Sequence, residues 1–202
     1  IKPSHAKMLQ EAAIVFWIGE DLENFLEKPL KSIAKKAEKI ELMEIKELKK
    51  LKFRERNIFD NHDDHGHDDD GHDDQAKKDD DHDDHGKDED GHEGHAHGEY
   101  DPHIWLDPIN AKIILKEMAE HLIENDQKNA STYKVNLKKA LKDLDKLTKK
   151  VKSELNKDFK SIVFHDAYQY FEKRFNVNVL GAFTINTDVL PGAEQLSEIR
   201  EI

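Results

Sequence analysis

The stretch A-I-V-F-W-I at residues 13–18 is the most informative segment for the fold. It is continuously apolar, it has the length of a strand, and Gly19 ends it. A strand that is apolar on both faces is typical of a buried parallel sheet. A short helix with a proline near its first turn is predicted before it, and Leu22, Phe25 and Leu26 follow it at the spacing of one helical face. This helix–strand–helix order predicts an α/β fold.

Two helices are predicted in succession in the middle of the chain. Asp107 followed by Pro108 is a favourable helix start, because the carboxylate can cap the first turn and proline suits the first helical position. A longer helix is predicted over about residues 130–156, where apolar side chains form one narrow stripe among lysines and acids. Such a helix would be roughly 40 Å long. Its single stripe indicates that it packs along one side of another element.

The end of the chain repeats the strand–helix pattern of its beginning. The segment S-I-V-F at 161–164 predicts a strand, and His165 stands at its carboxyl end. Residues 167–175 predict a helix and residues 177–183 a further strand. The helix is expected to bury its aromatic side chains Tyr168, Phe171 and Phe175.

Residues 60–99 differ in composition from the rest of the chain. They contain 18 acidic residues, three lysines and nine of the 13 histidines, which gives them a formal net charge of −15 against −12 for all 202 residues. Only two alanines in the segment are apolar. Such a segment cannot bury enough apolar surface to offset the entropy of ordering it. It is therefore predicted to be a disordered insertion within the first α/β unit.

Composition also excludes several classes of protein. No apolar run reaches about 18 residues, so no membrane span is predicted. A near-neutral body beside an acidic segment argues against nucleic-acid binding, which needs a basic face. The absence of cysteine excludes disulfides and thiolate zinc sites. Neither a nucleophile elbow nor a glycine-rich phosphate loop is present, so we do not expect an enzyme.

The histidines of the acidic segment point to metal binding. Imidazoles two or three residues apart can wrap a divalent ion in a flexible chain, and imidazole favours Zn, Cu, Ni and Fe over Mg and Ca. The alternative is a solvated acidic linker that contains histidine by chance. We expect a low-affinity metal-binding loop formed by His62, His65, His67, His72, His82, His85, His92, His95 and His97.

Two further histidines stand outside this segment and beside predicted helix starts. His103 follows Asp101-Pro102, and His165 ends a predicted strand. Ligand sites in open α/β sheets gather at the carboxyl ends of strands. A structural role for each histidine stays open on these residues alone, as does an acid–base pair formed by His165 and its neighbour Asp166.

Five ordered motifs carry a resemblance to a known family. They are I-K-P-S-H-A-K-M-L-Q at 1–10, V-F-W-I-G-E-D-L-E-N-F at 15–25, D-P-H-I-W-L-D-P at 101–108, V-F-H-D-A-Y-Q-Y-F at 163–171 and L-P-G-A-E-Q-L-S-E-I-R at 190–200. With the His/Asp-rich loop between the second and third motifs, the chain resembles the ZnuA-like zinc-binding receptors of bacterial ABC importers.

The resemblance implies two α/β lobes joined by a single long helix, with the metal in the cleft between them. The first lobe would span residues 1–125, the helix 126–157 and the beginning of the second lobe 158–202. Only part of each lobe would be present, because the family's first ligand histidine precedes the motif that begins at Ile1 and the far half of the second lobe would lie beyond residue 202. A signal peptide is likewise expected upstream.

The resemblance also implies a function and its ligands. His103 matches the ligand of the H-x-W-L-x-P motif, and His165 matches the ligand of the H-D-A-Y motif. Both would bind Zn²⁺ for an extracytoplasmic or periplasmic receptor, expected to be a monomer, that serves an ABC permease and its ATPase. Relatives that carry manganese usually have a carboxylate at the second place. The alternatives are a manganese or iron receptor, a metal-binding surface adhesin or buffer, and, last, a metal-dependent hydrolase.

Overall fold

Two separate parallel sheets, each of two strands, form the β-structure of the described residues. The computed structural model describes residues 1–54, 58, 98–156, 158–184, 192, 196–197 and 199–200. One sheet pairs β1 (Ile14–Trp17) with β2 (Glu38–Glu41), and the other pairs β3 (Lys160–His165) with β4 (Asn178–Thr184). We call the part built on the first sheet the first lobe, and β3, β4 and the helix between them the second lobe.

The first lobe begins as its sequence predicts. Helix α1 (Pro3–Glu11) leads into β1, and α2 (Glu20–Ser32) carries the chain back to β2, which pairs with β1 in parallel. After β2 the chain continues directly into a 3₁₀ turn over Leu42–Glu44. The predicted α/β architecture of this lobe is confirmed.

Gly19 allows the tight passage from β1 into α2. Its φ angle is +152°, and a Cβ atom there would lie 2.7 Å from Oε1 of Glu41. Any other residue would meet both a strained backbone and this carboxylate. The glycine therefore determines where β1 ends.

Helices α3 (Pro108–Asn125) and α4 (Ala130–Glu154) pack against each other. Asp107 caps α3, because its side chain accepts a hydrogen bond of 2.8 Å from the backbone N–H of Ile109. No residue of α4 is fully buried. Its half-buried side chains include the predicted stripe of Tyr133, Leu137, Leu141, Leu144 and Val151. The prediction that the long helix packs along one side is confirmed.

The second lobe differs from expectation in its short helix. Helix α5 covers Gln169–Phe175, two residues later than predicted, and it ends at Asn176, whose left-handed φ of 56° suits asparagine. Tyr170 and Phe175 are buried, whereas Tyr168 is 42% exposed. The expectation that Tyr168 is buried is wrong, because the helix turns Tyr170 toward the first lobe instead.

Tyr170 joins the main hydrophobic core of the first lobe. That core contains Leu42, Met43, Ile45, Leu48, Leu51, Ile104 and Ile114 in addition to Tyr170. A side chain of the second lobe is therefore part of the first lobe's interior. The contact places the carboxyl end of β3 beside the segment around residue 103, where the candidate site lies.

Some predictions fall outside the described residues. The predicted disordered insertion at 60–99 is described only at Gly98 and Glu99, and its nine histidines lie in the part that is not described. The lobe boundaries at residues 125 and 157 remain predictions.

Candidate metal site

His103 is held by backbone and side-chain hydrogen bonds to Asp101. It precedes the 3₁₀ turn Ile104–Leu106, and its backbone N–H donates to Oδ1 of Asp101 at 2.9 Å. Its ring Nδ1 lies 2.6 Å from the same oxygen. A protonated Nδ1 donating to an ionised carboxylate leaves Nε2 with its lone pair free for a metal. A carboxylate behind the ring is the common support of a metal-binding histidine.

Asp101 is fully buried, which is unusual for an acidic residue. None of its surface is exposed, and its second oxygen, Oδ2, is buried without a hydrogen-bond partner. Its backbone is fixed on both sides, because its N–H donates to the carbonyl of Leu51 at 2.8 Å and its carbonyl accepts from Tyr170 at 2.7 Å. A buried carboxylate with an unsatisfied oxygen creates a strong local preference for positive charge.

His165 occupies the last position of β3, opposite Thr184 of β4. Its side chain is half-buried. Burial lowers the pKa of its imidazole below the ordinary value of 6.5, the neighbouring His103 lowers it further, and Asp101 opposes both effects. The neutral form is therefore favoured, and the neutral form is the one that binds metal.

The two histidines come together although 61 residues lie between them in the sequence. Their ring centroids are 5.5 Å apart and the ring planes are inclined by 51°. A Zn–N bond of about 2.0–2.1 Å puts the zinc about 3.2 Å from each ring centre, so a tetrahedral angle separates two such centres by about 5.2 Å. The observed spacing is compatible with two ligands of one ion, and the assignment of the two histidines as ligands stays a prediction.

The remaining described histidines lie elsewhere. His5 is exposed on α1, and His121 of α3 lies between Glu38 and Glu117, with its ring nitrogens 2.8 and 3.3 Å from their carboxylates. The His121 side chain is largely covered. Across the described ranges, no group of three or more His, Cys, Asp or Glu side chains is arranged to hold a metal. The site seen there consists of two candidate ligands.

The described residues nearest the His/Asp-rich segment are held by several contacts. Lys52 and Tyr100 form an antiparallel bridge, and the Lys52 ammonium lies 2.9 Å from the Glu99 carboxylate. The N–H of Gly98 donates to Asp21 at 2.8 Å. Gly98 and Glu99, the described residues at the carboxyl end of the segment, are thus anchored, and Glu99 lies four residues before His103.

Sequence reasoning did not assign a role to Asp101 or Tyr170. An acid two residues before a candidate ligand histidine was a usable signal for Asp101. Tyr170 had no such signal, because its hydroxyl accepts from the N–H of Leu51 at 3.0 Å, 119 residues away in the sequence.

None of the helices in the described ranges is both long enough and apolar enough to cross a membrane.

Comparisons with known proteins give a consistent family. A ZnuA protein of Brucella abortus, named a high-affinity zinc uptake system protein, is 43% identical over 205 residues, which cover 100% of this chain and 61% of that protein. A crystal structure of ZnuA has a TM-score of 0.66 at 22% identity, covering 99% of this chain and 62% of that one. A zinc-bound AdcAII variant of Streptococcus pneumoniae gives 0.62 at 24% identity, covering 100% and 62%.

The structural neighbours agree with the two-lobed fold predicted from the motifs. The chain spans about three fifths of the length of these relatives. The family described as "Zinc-uptake complex component A periplasmic" matches residues 1–202. The chain therefore belongs to the ZnuA family.

Proposed function

We propose that this chain captures Zn²⁺ between His103 and His165 and belongs to a receptor that delivers the ion to an ABC importer. The observation that carries the proposal is the 5.5 Å separation of the two imidazole rings at the meeting point of the lobes. The zinc-uptake names of the family and of the Brucella relative support the choice of cargo.

The chemistry of the two side chains favours zinc over manganese. Zinc is borderline-soft and binds imidazole well, whereas manganese prefers carboxylate and carbonyl oxygens. The lowered pKa of His165 keeps its ring neutral, and the buried carboxylate of Asp101 strengthens His103 as a ligand. Two imidazole nitrogens therefore favour a zinc receptor over a manganese receptor.

The geometry favours a receptor over a hydrolase. Asp166 is the neighbour of His165 in sequence, but its carboxylate accepts a hydrogen bond of 2.8 Å from Arg54. A carboxylate engaged in this way is positioned to orient the lobes and not to assist His165 in proton transfer. We therefore propose that the chain binds and releases its metal without chemical conversion.

We further propose that the His/Asp-rich segment collects zinc at low affinity. The bridge between Lys52 and Tyr100 joins residues that precede and follow the segment, and Tyr100 lies three residues before His103. Ions held weakly by the segment would therefore be released close to His103. In the family context, the receptor would work as a monomer in the periplasm or on the extracytoplasmic surface, presenting its cargo to a permease driven by an ATPase.

Zinc titration of single variants tests the site. His103→Ala and His165→Ala should each weaken the tightest zinc binding at least about tenfold, since a four-coordinate ion loses a ligand. His121→Ala is the matched control, because that histidine also contacts carboxylates but lies outside the cleft. Competition with a chelator at less than one equivalent of zinc gives the affinity. Unchanged affinity in His165→Ala would overturn the proposal.

A further inference from the structure

Two arginines cross between the lobes, and both end on buried carboxylates. Arg54 of the first lobe donates to Asp166 at 2.8 Å and to both carboxylate oxygens of Glu172 at 3.1 and 2.6 Å. Arg174 of the second lobe donates through Nε and Nη2 to both oxygens of Asp107 at 2.6 Å each. Bidentate pairs of this kind fix orientation as well as distance.

The two arginines differ in which part of the fold their carboxylate partners belong to. Asp166 directly follows His165, and its backbone N–H donates to the carbonyl of Thr184 at 3.0 Å, so backbone and side chain together place the end of β3. Asp107 is already placed as the cap of α3 by its bond to Ile109. Only the Arg54 pair ends on the immediate neighbour of a candidate ligand.

Arg54 is also connected to the other candidate ligand. It lies three residues after Leu51, which accepts a hydrogen bond from the backbone of Asp101, and Asp101 holds His103. The contacts therefore run from His103 through Asp101 and the segment 51–54 to Arg54. From Arg54 they continue through Asp166 to His165, which closes the path between the two imidazoles.

We propose that Arg54 is a positioning residue for metal binding, which sets the spacing of His103 and His165 by fixing Asp166 against the first lobe. The inference rests on the proposed zinc site. Arg54 does not touch the metal, and it acts through the backbone of the residue next to the ligand.

The charges around Arg54 explain why the position of His165 depends on the Arg54 guanidinium. Asp166, before α5, and Glu172, on α5, are both buried, and Arg54 donates hydrogen bonds to both carboxylates. Without Arg54 the two carboxylates would repel each other in a region of low dielectric constant. A displacement of His165 by a few tenths of an ångström to about 1 Å is enough to loosen a metal site.

The test compares Arg54→Met with Arg174→Met in the full chain. Each variant loses one inter-lobe arginine that pairs with buried carboxylate, so both should lower the melting temperature of the metal-free protein. Zinc affinity is measured by chelator competition at less than one equivalent of metal. The visible absorption spectrum of bound Co²⁺, which reports ligand geometry, is recorded for both variants.

Arg54→Met should weaken zinc binding about tenfold or more and change the Co²⁺ spectrum, as for other groups that orient a ligand. Arg174→Met should stay within about twofold of the wild type and keep its spectrum. Arg54→Lys, which keeps the charge but lacks the planar fork, should lie between them and provides the measurement if Arg54→Met does not fold.

This design distinguishes failure of the Arg54 role from failure of the proposed zinc site. Equal zinc affinity and equal Co²⁺ spectra in the Arg54 and Arg174 variants, with tight binding in the wild type, would overturn the role of Arg54. A wild-type protein whose affinity does not depend on His165 would instead overturn the proposed zinc site.

Discussion

The ring Nδ1 of His103 lies 2.6 Å from a carboxylate oxygen of Asp101, a side chain with none of its surface exposed. The relationship determines which nitrogen of His103 is free, since a protonated Nδ1 leaves Nε2 as the only possible ligand atom. It also sets the ring in place before a metal arrives. Much of the candidate site's affinity should therefore depend on a residue that need not touch the ion.

Replacing Asp101 by asparagine tests this support with little change in shape. The amide is uncharged and accepts more weakly, so we expect zinc affinity to fall about 10- to 100-fold. Chelator competition gives the affinity. In the double variant Asp101→Asn/His103→Ala, the first change should cause little additional loss, because Asp101 acts through His103. Full additivity of the two losses would contradict this role.

The stability of the metal-free protein should respond to the titration of Asp166. Burial raises the pKa of this carboxyl to about 6, with Arg54 opposing the rise and Glu172 adding to it. A group that binds its proton more tightly when folded contributes stability that is fully present below the unfolded value near 3.8 and is lost as the pH rises through about 6. Asp166→Asn removes this contribution.

The free energy of unfolding of Asp166→Asn, relative to wild type, should thus improve between pH 4 and pH 7. The improvement should be no more than about 3 kcal/mol, since a shift of one pKa unit is worth about 1.4 kcal/mol. Urea unfolding at several pH values measures it. A difference between the two proteins that does not change with pH would show that Asp166 does not titrate in this range.

Tyr170 should contribute strongly to the stability of the interface between the lobes. Its hydroxyl accepts from the N–H of Leu51 and donates to the carbonyl of Asp101, and both bonds are buried. Tyr170→Phe leaves these backbone groups without a partner, which should cost about 1–3 kcal/mol in the free energy of unfolding.

The matched control for this change is Tyr168→Phe, two residues away and 42% exposed. Its effect should stay within about 0.5 kcal/mol, as for most surface substitutions. Chemical denaturation of the two variants in parallel gives the comparison. Equal losses in both would show that the buried hydroxyl has no special role.

Removal of residues 60–97 should separate weak from tight zinc binding. The nine histidines of this segment lie two or three residues apart in several places, which suits several loosely held ions. The shortened protein should lose the weakly bound equivalents and keep the tightest one, because His103 and His165 are untouched. Isothermal titration counts the ions. Loss of all zinc binding on deletion would place the only site in the removed segment.

The local features of this fold could be predicted from its sequence. The apolar run at 13–18, the cap formed by Asp107 and the stripe along α4 are each a property of neighbouring residues. Side-chain size, hydrophobicity and helix-end chemistry act over a few positions, so they can be recognised without a partner. The two candidate ligands, His103 and His165, were identified on a different basis, the resemblance of the motifs around them to those of a known family.

The tertiary structure decided how those ligands are supported. Helix α5 buries Gln169, Tyr170 and Glu172, a choice that hydrophobic spacing cannot predict, since two of the three are polar. Each is buried together with a hydrogen-bond partner from residues 51–54. Gln169 donates to the carbonyl of Lys52, Tyr170 accepts from the backbone of Leu51, and Glu172 accepts from the guanidinium of Arg54. These partners lie 117 to 119 residues earlier in the chain. A buried polar group is stable only when its hydrogen bonds are made. Packing of the lobes supplies those bonds, and with them the spacing of His103 and His165.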